Sequence, residues 1–106
     1  IKTRAKSFKE RRDFVVKYLN NIKGLSCVNP NGAFYVFPNC QKLLGVKTKL
    51  KTDKDFVEKL LEKSEVAVVQ GSAFGLEGYF RISYATSMEK LREAMKRIKY
   101  FCDSLN

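Results

Sequence analysis

One charged side chain stands alone in the stretch GYFRISYATS, residues 78–87: Arg81 is the only Asp, Glu, Lys or Arg between Glu77 and Glu89. A guanidinium in apolar surroundings is expensive unless it is paired. The partner is a nearby acid such as Glu77, a carboxylate elsewhere in the protein, or a ligand anion; otherwise the side chain reaches from an exposed sheet face to water. Arginine suits a planar carboxylate because its fork of N–H donors matches two oxygens. Spacing alone leaves these readings open.

Other residues with chemical potential have plainer explanations. SMEK, residues 87–90, matches a Ser-x-x-Lys pattern of some acyl-transfer enzymes. It stands at a helix start, where Ser is a cap, and none of the companion motifs is present. Lys47, Lys49, Lys51 and Lys54 cluster near one loop; a solvated loop explains them better than a phosphate site. The chain has no His, so His-dependent triads, His metal ligands and imidazole acid–base work are excluded from it. Cys27, Cys40 and Cys102 match no zinc spacing and read as reduced thiols of a cytosolic-type compartment. No metal site is predicted.

The elements that must position Arg81 can be read from periodicity. Phe8, Val15, Val16, Leu19 and Ile22 fall on one helical stripe over residues 3–22, interrupted by Arg12, with Gly24 placed to end the helix. Cys27–Val28 and Phe34–Phe37 read as short strands around the turn NPNG, and Pro38 stops the second. Residues 39–52 are loop. Thr52 and Asp55 form a capping box for the next helix, with Phe56, Val57, Leu60 and Leu61 as its apolar face. VAVV, residues 66–69, reads as a strand buried on both faces, and QGSAFGLEG as a glycine-rich loop.

Residues 79–85 form the last strand. Side chains alternate along it, so Phe80, Ile82 and Tyr84 face the helices while Tyr79, Arg81, Ser83 and Ala85 point away. The final helix is capped by Thr86 or Ser87, with Glu89 completing a capping box with Thr86. Its stripe is Leu91, Met95, Ile98, Cys102 and Leu105, with Ala94 and Phe101 flanking. The order α-β-β-α-β-β-α predicts an α+β, two-layer domain with helices packed on a small mixed or antiparallel sheet.

At 106 residues the chain is one domain, 1–106, and its 44% hydrophobic and 30% charged residues describe a globular one. It begins at Ile1, inside a helical pattern, and reads as part of a longer protein. No apolar run approaches the ~18 residues of a membrane span. The net charge of +10 lies on helices and loops, while residues 24–41 and 66–76 carry no charge. A basic surface attracts polyanions, so a nucleic-acid-binding module is one alternative and a non-catalytic interaction domain another. The aromatic run AFYVF lacks the basic-Gly-aromatic-small-aromatic order of RNA-binding sheets.

GYFRISYATS, preceded by VAVVQGSAFG, resembles the C-terminal small domain of class I pyridoxal-phosphate-dependent aminotransferases, in particular the bacterial-type aspartate aminotransferases. FKERRDFVVKYLNNIKGLSCVNPNGAFYVFP fits the same family. The resemblance covers nearly the whole chain; residues 39–55 are the least distinctive. It implies a fold-type I transferase that moves an amino group between an amino acid and a 2-oxo acid, in a cytoplasmic homodimer with no nucleic-acid or membrane partner.

By that resemblance Arg81 holds the substrate α-carboxylate, and Phe74, in the loop Gly71 to Gly75, is similar to the aromatic that covers the substrate. The small domain closes over substrate bound to its own large domain. That large domain, absent from this chain, binds pyridoxal 5'-phosphate and carries the cofactor lysine. No catalytic and no cofactor-binding residue is therefore expected in this segment, which alone is expected to be inactive. One departure is visible: Gln70 stands where the family usually has Pro, which puts the rigidity of the loop in doubt.

Overall fold

The computed structural model describes residues 2–28 and 34–106, with side chains from Ser7 onward. The elements are α1 (Lys2–Asn20), β1 (Tyr35–Val36), α2 (Asp53–Ser64), β2 (Val69–Gln70), β3 (Phe80–Ser83) and α3 (Met88–Leu105). Short 3₁₀ turns cover Gln41–Leu43 and Gly71–Phe74. The strands form one antiparallel sheet in the order β1–β3–β2, so β3, the strand of Arg81, is central.

The fold class is as the sequence predicts, an α+β domain of three helices on a small antiparallel sheet. Val15, Leu19, Phe56, Leu60, Met95 and Ile98 are fully buried, and α3 packs against both other helices. Phe80, Ile82 and Tyr84 of the β3 segment are buried in the same core. The Phe56 ring stacks on Phe80 and meets Phe101 edge-on, joining α2, β3 and α3. The capping box of α2 is present: the Thr52 hydroxyl accepts from the Asp55 amide, and the Asp55 carboxylate accepts from the Thr52 amide.

The structure corrects several local expectations. Cys27–Val28 is not a strand. The Cys27 N–H donates to Asn20 Oδ1 at 2.8 Å and its carbonyl accepts from Asn20 Nδ2 at 2.7 Å, so one side-chain amide satisfies the groups a ladder would use. The NPNG turn lies outside the described residues, apart from which the second expected strand shortens to Tyr35–Val36. Helix α1 ends at Asn20, and Gly24 lies in the following turn with φ +98°.

VAVV is not a strand buried on both faces. Only Val69 pairs, with Gln70 beside it, because β2 is an edge strand that meets β3 over two residues. Val66 is buried, Val68 half-buried and Ala67 exposed. Helix α3 is capped by Ser87, whose hydroxyl accepts from the Lys90 amide at 3.1 Å. That register makes Lys90 the third helical residue, so Thr86 and Glu89 do not form the capping box. Leu61 is exposed, one turn beyond Val57 at the margin of the buried stripe of α2.

Candidate functional site

Strand register places the first neighbour of Arg81. Tyr35 lies opposite Ser83 in the β1–β3 ladder, and Ser83 shares a face with Arg81 two residues away. Tyr35 is therefore the diagonal neighbour of Arg81, within reach of a long side chain. The Arg81 Cζ sits 4.2 Å from the centroid of the Tyr35 ring. On its other flank β2 sets Val69 directly opposite Arg81.

The second neighbour comes from the glycine-rich loop. Phe74 closes the 3₁₀ turn after β2, and its ring centroid is 4.4 Å from the Arg81 Cζ. Phe37 meets Phe74 edge-on at 6.0 Å. Such cation–π contacts contribute about 0.5–2 kcal/mol each. No side chain among the described residues forms an ion pair with Arg81, and Glu77 is not its partner. Its N–H donors therefore have no anionic side chain to meet among the described residues.

The loop itself is closed by its own backbone. The Gly71 amide donates to Tyr79 O at 2.7 Å, Leu76 N to Gly71 O at 2.9 Å and Gly75 N to Ser72 O at 3.2 Å. Gly75 and Gly78 take φ of +77° and +83°, which favour glycine. Gln70 adopts φ −62°, the value proline would impose. The departure from the family pattern therefore leaves the entry to the loop in the geometry that proline prefers.

Asp53 is the residue that sequence reading missed. No local motif singles it out, yet it is 3% exposed, the one buried charged side chain among the described residues. One carboxylate oxygen accepts from the Ser72 amide at 2.8 Å and the other from the Gly78 amide at 3.3 Å. Burial opposes its ionisation, yet the Ser72 amide and hydroxyl and the Gly78 amide outweigh burial and hold the carboxyl below its ordinary value. The signal that would have found it, contacts across 19 and 25 residues, is not local.

The remaining candidates do not join the site. Ser87 is a helix cap. Lys47, Lys49, Lys51 and Lys54 are exposed, and Lys54 faces Glu58 at 3.9 Å. Burial pushes the Cys27 thiol up to about 11 and those of Cys40 and Cys102 up to about 12, so none is a ready nucleophile. No group of three or more potential metal ligands gathers among the described residues.

A pyridoxal phosphate does not fit this face by itself. It needs a lysine amine, and the described lysines are exposed on helices and loops, Lys59 alone being half-buried on α2. The groups around Arg81 are aromatic rings and a valine, with no second cation for a phosphate among the described residues.

Comparison with known proteins defines the class. A family model described as aminotransferase class I and II matches residues 1–98, and the chain belongs to that family. The chain is 54% identical to an aspartate aminotransferase of Rhizobium meliloti, with all of this chain and 27% of the relative covered. It is 51% identical to a probable aspartate/prephenate aminotransferase of Rickettsia felis, with the same coverage. The crystal structure of the aspartate aminotransferase from Rhizobium meliloti superposes with a TM-score of 0.92 at 55% identity, over 96% of this chain and 26% of that one. The chain thus spans about a quarter of the length of these relatives.

Proposed function

We propose that this chain is the substrate-closing small domain of an aspartate-type aminotransferase, in which Arg81 binds the α-carboxylate of the amino acid or 2-oxo acid. The observation that carries the reading is Arg81 itself: a guanidinium held 4.2 Å from Tyr35 and 4.4 Å from Phe74, with no anionic partner among the described residues. A substrate carboxylate supplies the missing charge. The two rings shield part of the guanidinium from water, and a charge-assisted bond is stronger where water is excluded.

Pyridoxal phosphate and its lysine belong, in this reading, to the rest of the longer protein; the cofactor supplies the electron sink when bound. The work of this chain is to fix one end of the substrate. Positioning of this kind lowers a barrier by converting loose encounters into an aligned pair. Aspartate is the proposed donor because the relatives at 54% and 51% identity carry aspartate in their names.

The test is kinetic. In the full-length protein, Arg81→Ala should lower kcat/KM by at least about thirtyfold, roughly 2 kcal/mol, for two different amino donors alike. Arg81→Lys should restore part of that, since a point charge cannot reproduce the fork. A loss under threefold with both donors would show that Arg81 is a surface arginine.

A further inference from the structure

We infer that Asp53 is a positioning residue for the carboxylate site: its buried carboxylate ties down both ends of the 72–78 loop and so holds the Phe74 ring against Arg81. The inference rests on the proposed role of Arg81 and adds the residue that keeps its surroundings in place.

The argument begins with cost. A buried carboxylate with no cation beside it is expensive unless dipoles satisfy it. Asp53 has no ion pair among the described residues. Its charge is met by the Ser72 and Gly78 amides and the Ser72 hydroxyl, and it stands in the first turn of α2, where the helix dipole favours an anion. A neutral apolar residue would remove that cost but could not accept from both amides.

What it bonds are two amides six residues apart, one on each oxygen. Ser72 begins and Gly78 ends the exposed tip that carries Phe74. Phe74 is 46% exposed, and Leu76 beside it 39%, so the tip has little packing of its own to hold it. The ring nevertheless meets Arg81 and Phe37. Asp53 is in turn fixed by α2, whose Phe56, three residues on, stacks on Phe80, the neighbour of Arg81 in β3. Loop and strand are therefore referenced to the same helix.

The experiment uses the full-length protein with aspartate as amino donor. Asp53→Ala should speed amide exchange about tenfold or more over residues 72–78 and leave residues 91–102 of α3 unchanged. It should raise KM about fivefold with kcat within twofold, the pattern of lost uniform binding. In a Phe74→Ala background, adding Asp53→Ala should change KM by less than twofold, because the ring it positions is gone. Asp53→Asn keeps one acceptor oxygen and should fall between wild type and Asp53→Ala, which preserves the test if the alanine variant folds poorly. Unchanged exchange at 72–78 in both Asp53 variants, or KM effects of Asp53→Ala and Phe74→Ala that simply multiply, overturns the inference. If Arg81→Ala lowers kcat/KM as expected and Asp53→Ala leaves KM unchanged, the inference alone falls. If Arg81→Ala leaves kcat/KM within threefold of wild type, the carboxylate reading falls and takes the substrate link of Asp53 with it.

Discussion

The Phe56 ring of α2 stacks on the Phe80 ring of β3, with centroids 5.1 Å apart and planes inclined by 30°. Both residues are fully buried, and Phe80 is the residue next to Arg81. The contact sets the depth at which the helix layer meets the strand that carries the candidate site.

Truncating that contact should be costly. Phe56→Ala is expected to lower stability by about 3–5 kcal/mol, and Ile98→Ala by about 2–5 kcal/mol, as large-to-small changes in closed cores do. Leu61→Ala, on the exposed margin of α2, should stay within about 0.5 kcal/mol. Urea unfolding of the three variants checks this. Equal losses at positions 56 and 61 would contradict the packing of α2.

Gly71 is required for space, not for a positive φ. A Cβ there would fall against the carbonyl oxygen of Leu76 and 2.7 Å from that of Tyr79. Those carbonyls accept bonds within the loop and cannot retreat cheaply. Gly71→Ala should therefore cost about 1–3 kcal/mol, the range of overpacked sites. Thermal unfolding should place its midpoint clearly below that of wild type; an unchanged midpoint would mean the loop is looser than its hydrogen bonds indicate.

Gln70→Pro should stabilise. The bond from Gly71 N to Tyr79 O makes Gln70 and Phe80 a non-hydrogen-bonded pair, so the Gln70 N–H is not used by the β3 ladder. Its φ of −62° already suits proline, and Val69 before it is extended in β2. A gain of about 0.4–1 kcal/mol is expected, by restriction of the unfolded chain. Loss of stability on this substitution would show that the amide has a partner.

Asp53 predicts a pH dependence. Its carboxyl titrates below the ordinary value when folded, so its contribution is present in full above the unfolded pKa of about 3.9 and is lost as pH falls through the lower folded value. The stability gap between wild type and Asp53→Asn should be constant from neutral pH to about pH 4 and close in more acid solution. Lys51, Lys54 and Glu77 line the same cleft, Asp55 lies one half-turn along α2, and the buried Cys40 thiol is near. Burial raises the Cys40 thiol, so it keeps its proton across this range. Denaturant titrations at a series of pH values test it, and a gap that persists undiminished well below the ordinary carboxylate range refutes the assignment.

Much of this domain was legible in the sequence because its signals are local. Period-two alternation in residues 79–85 told which face Arg81 takes: Phe80, Ile82 and Tyr84 are buried and Ser83 and Ala85 exposed. The Thr52–Asp55 box and the stripe of α3 act within one or two helical turns and formed as read, and the α1 stripe did so as far as Leu19, with Ile22 buried just beyond the helix end. The resemblance to aminotransferases singled out Arg81 and Phe74, and the structure brings those two together. Reading failed where a distant group replaced a local one, as when the Asn20 amide took the bonds that would have made Cys27 part of a strand.

The sequence by itself determined the chemistry available: one arginine isolated in a strand, glycines before and after a phenylalanine, and no histidine. Only the tertiary structure decided that Tyr35, from a strand 46 positions earlier in the numbering, flanks that arginine, and that Asp53 reaches both ends of the Phe74 loop. The physical reason is range. Alternation and capping are set by neighbouring backbone geometry, whereas the place of a side chain across a sheet depends on strand order and register, and those are chosen by burial of the whole core.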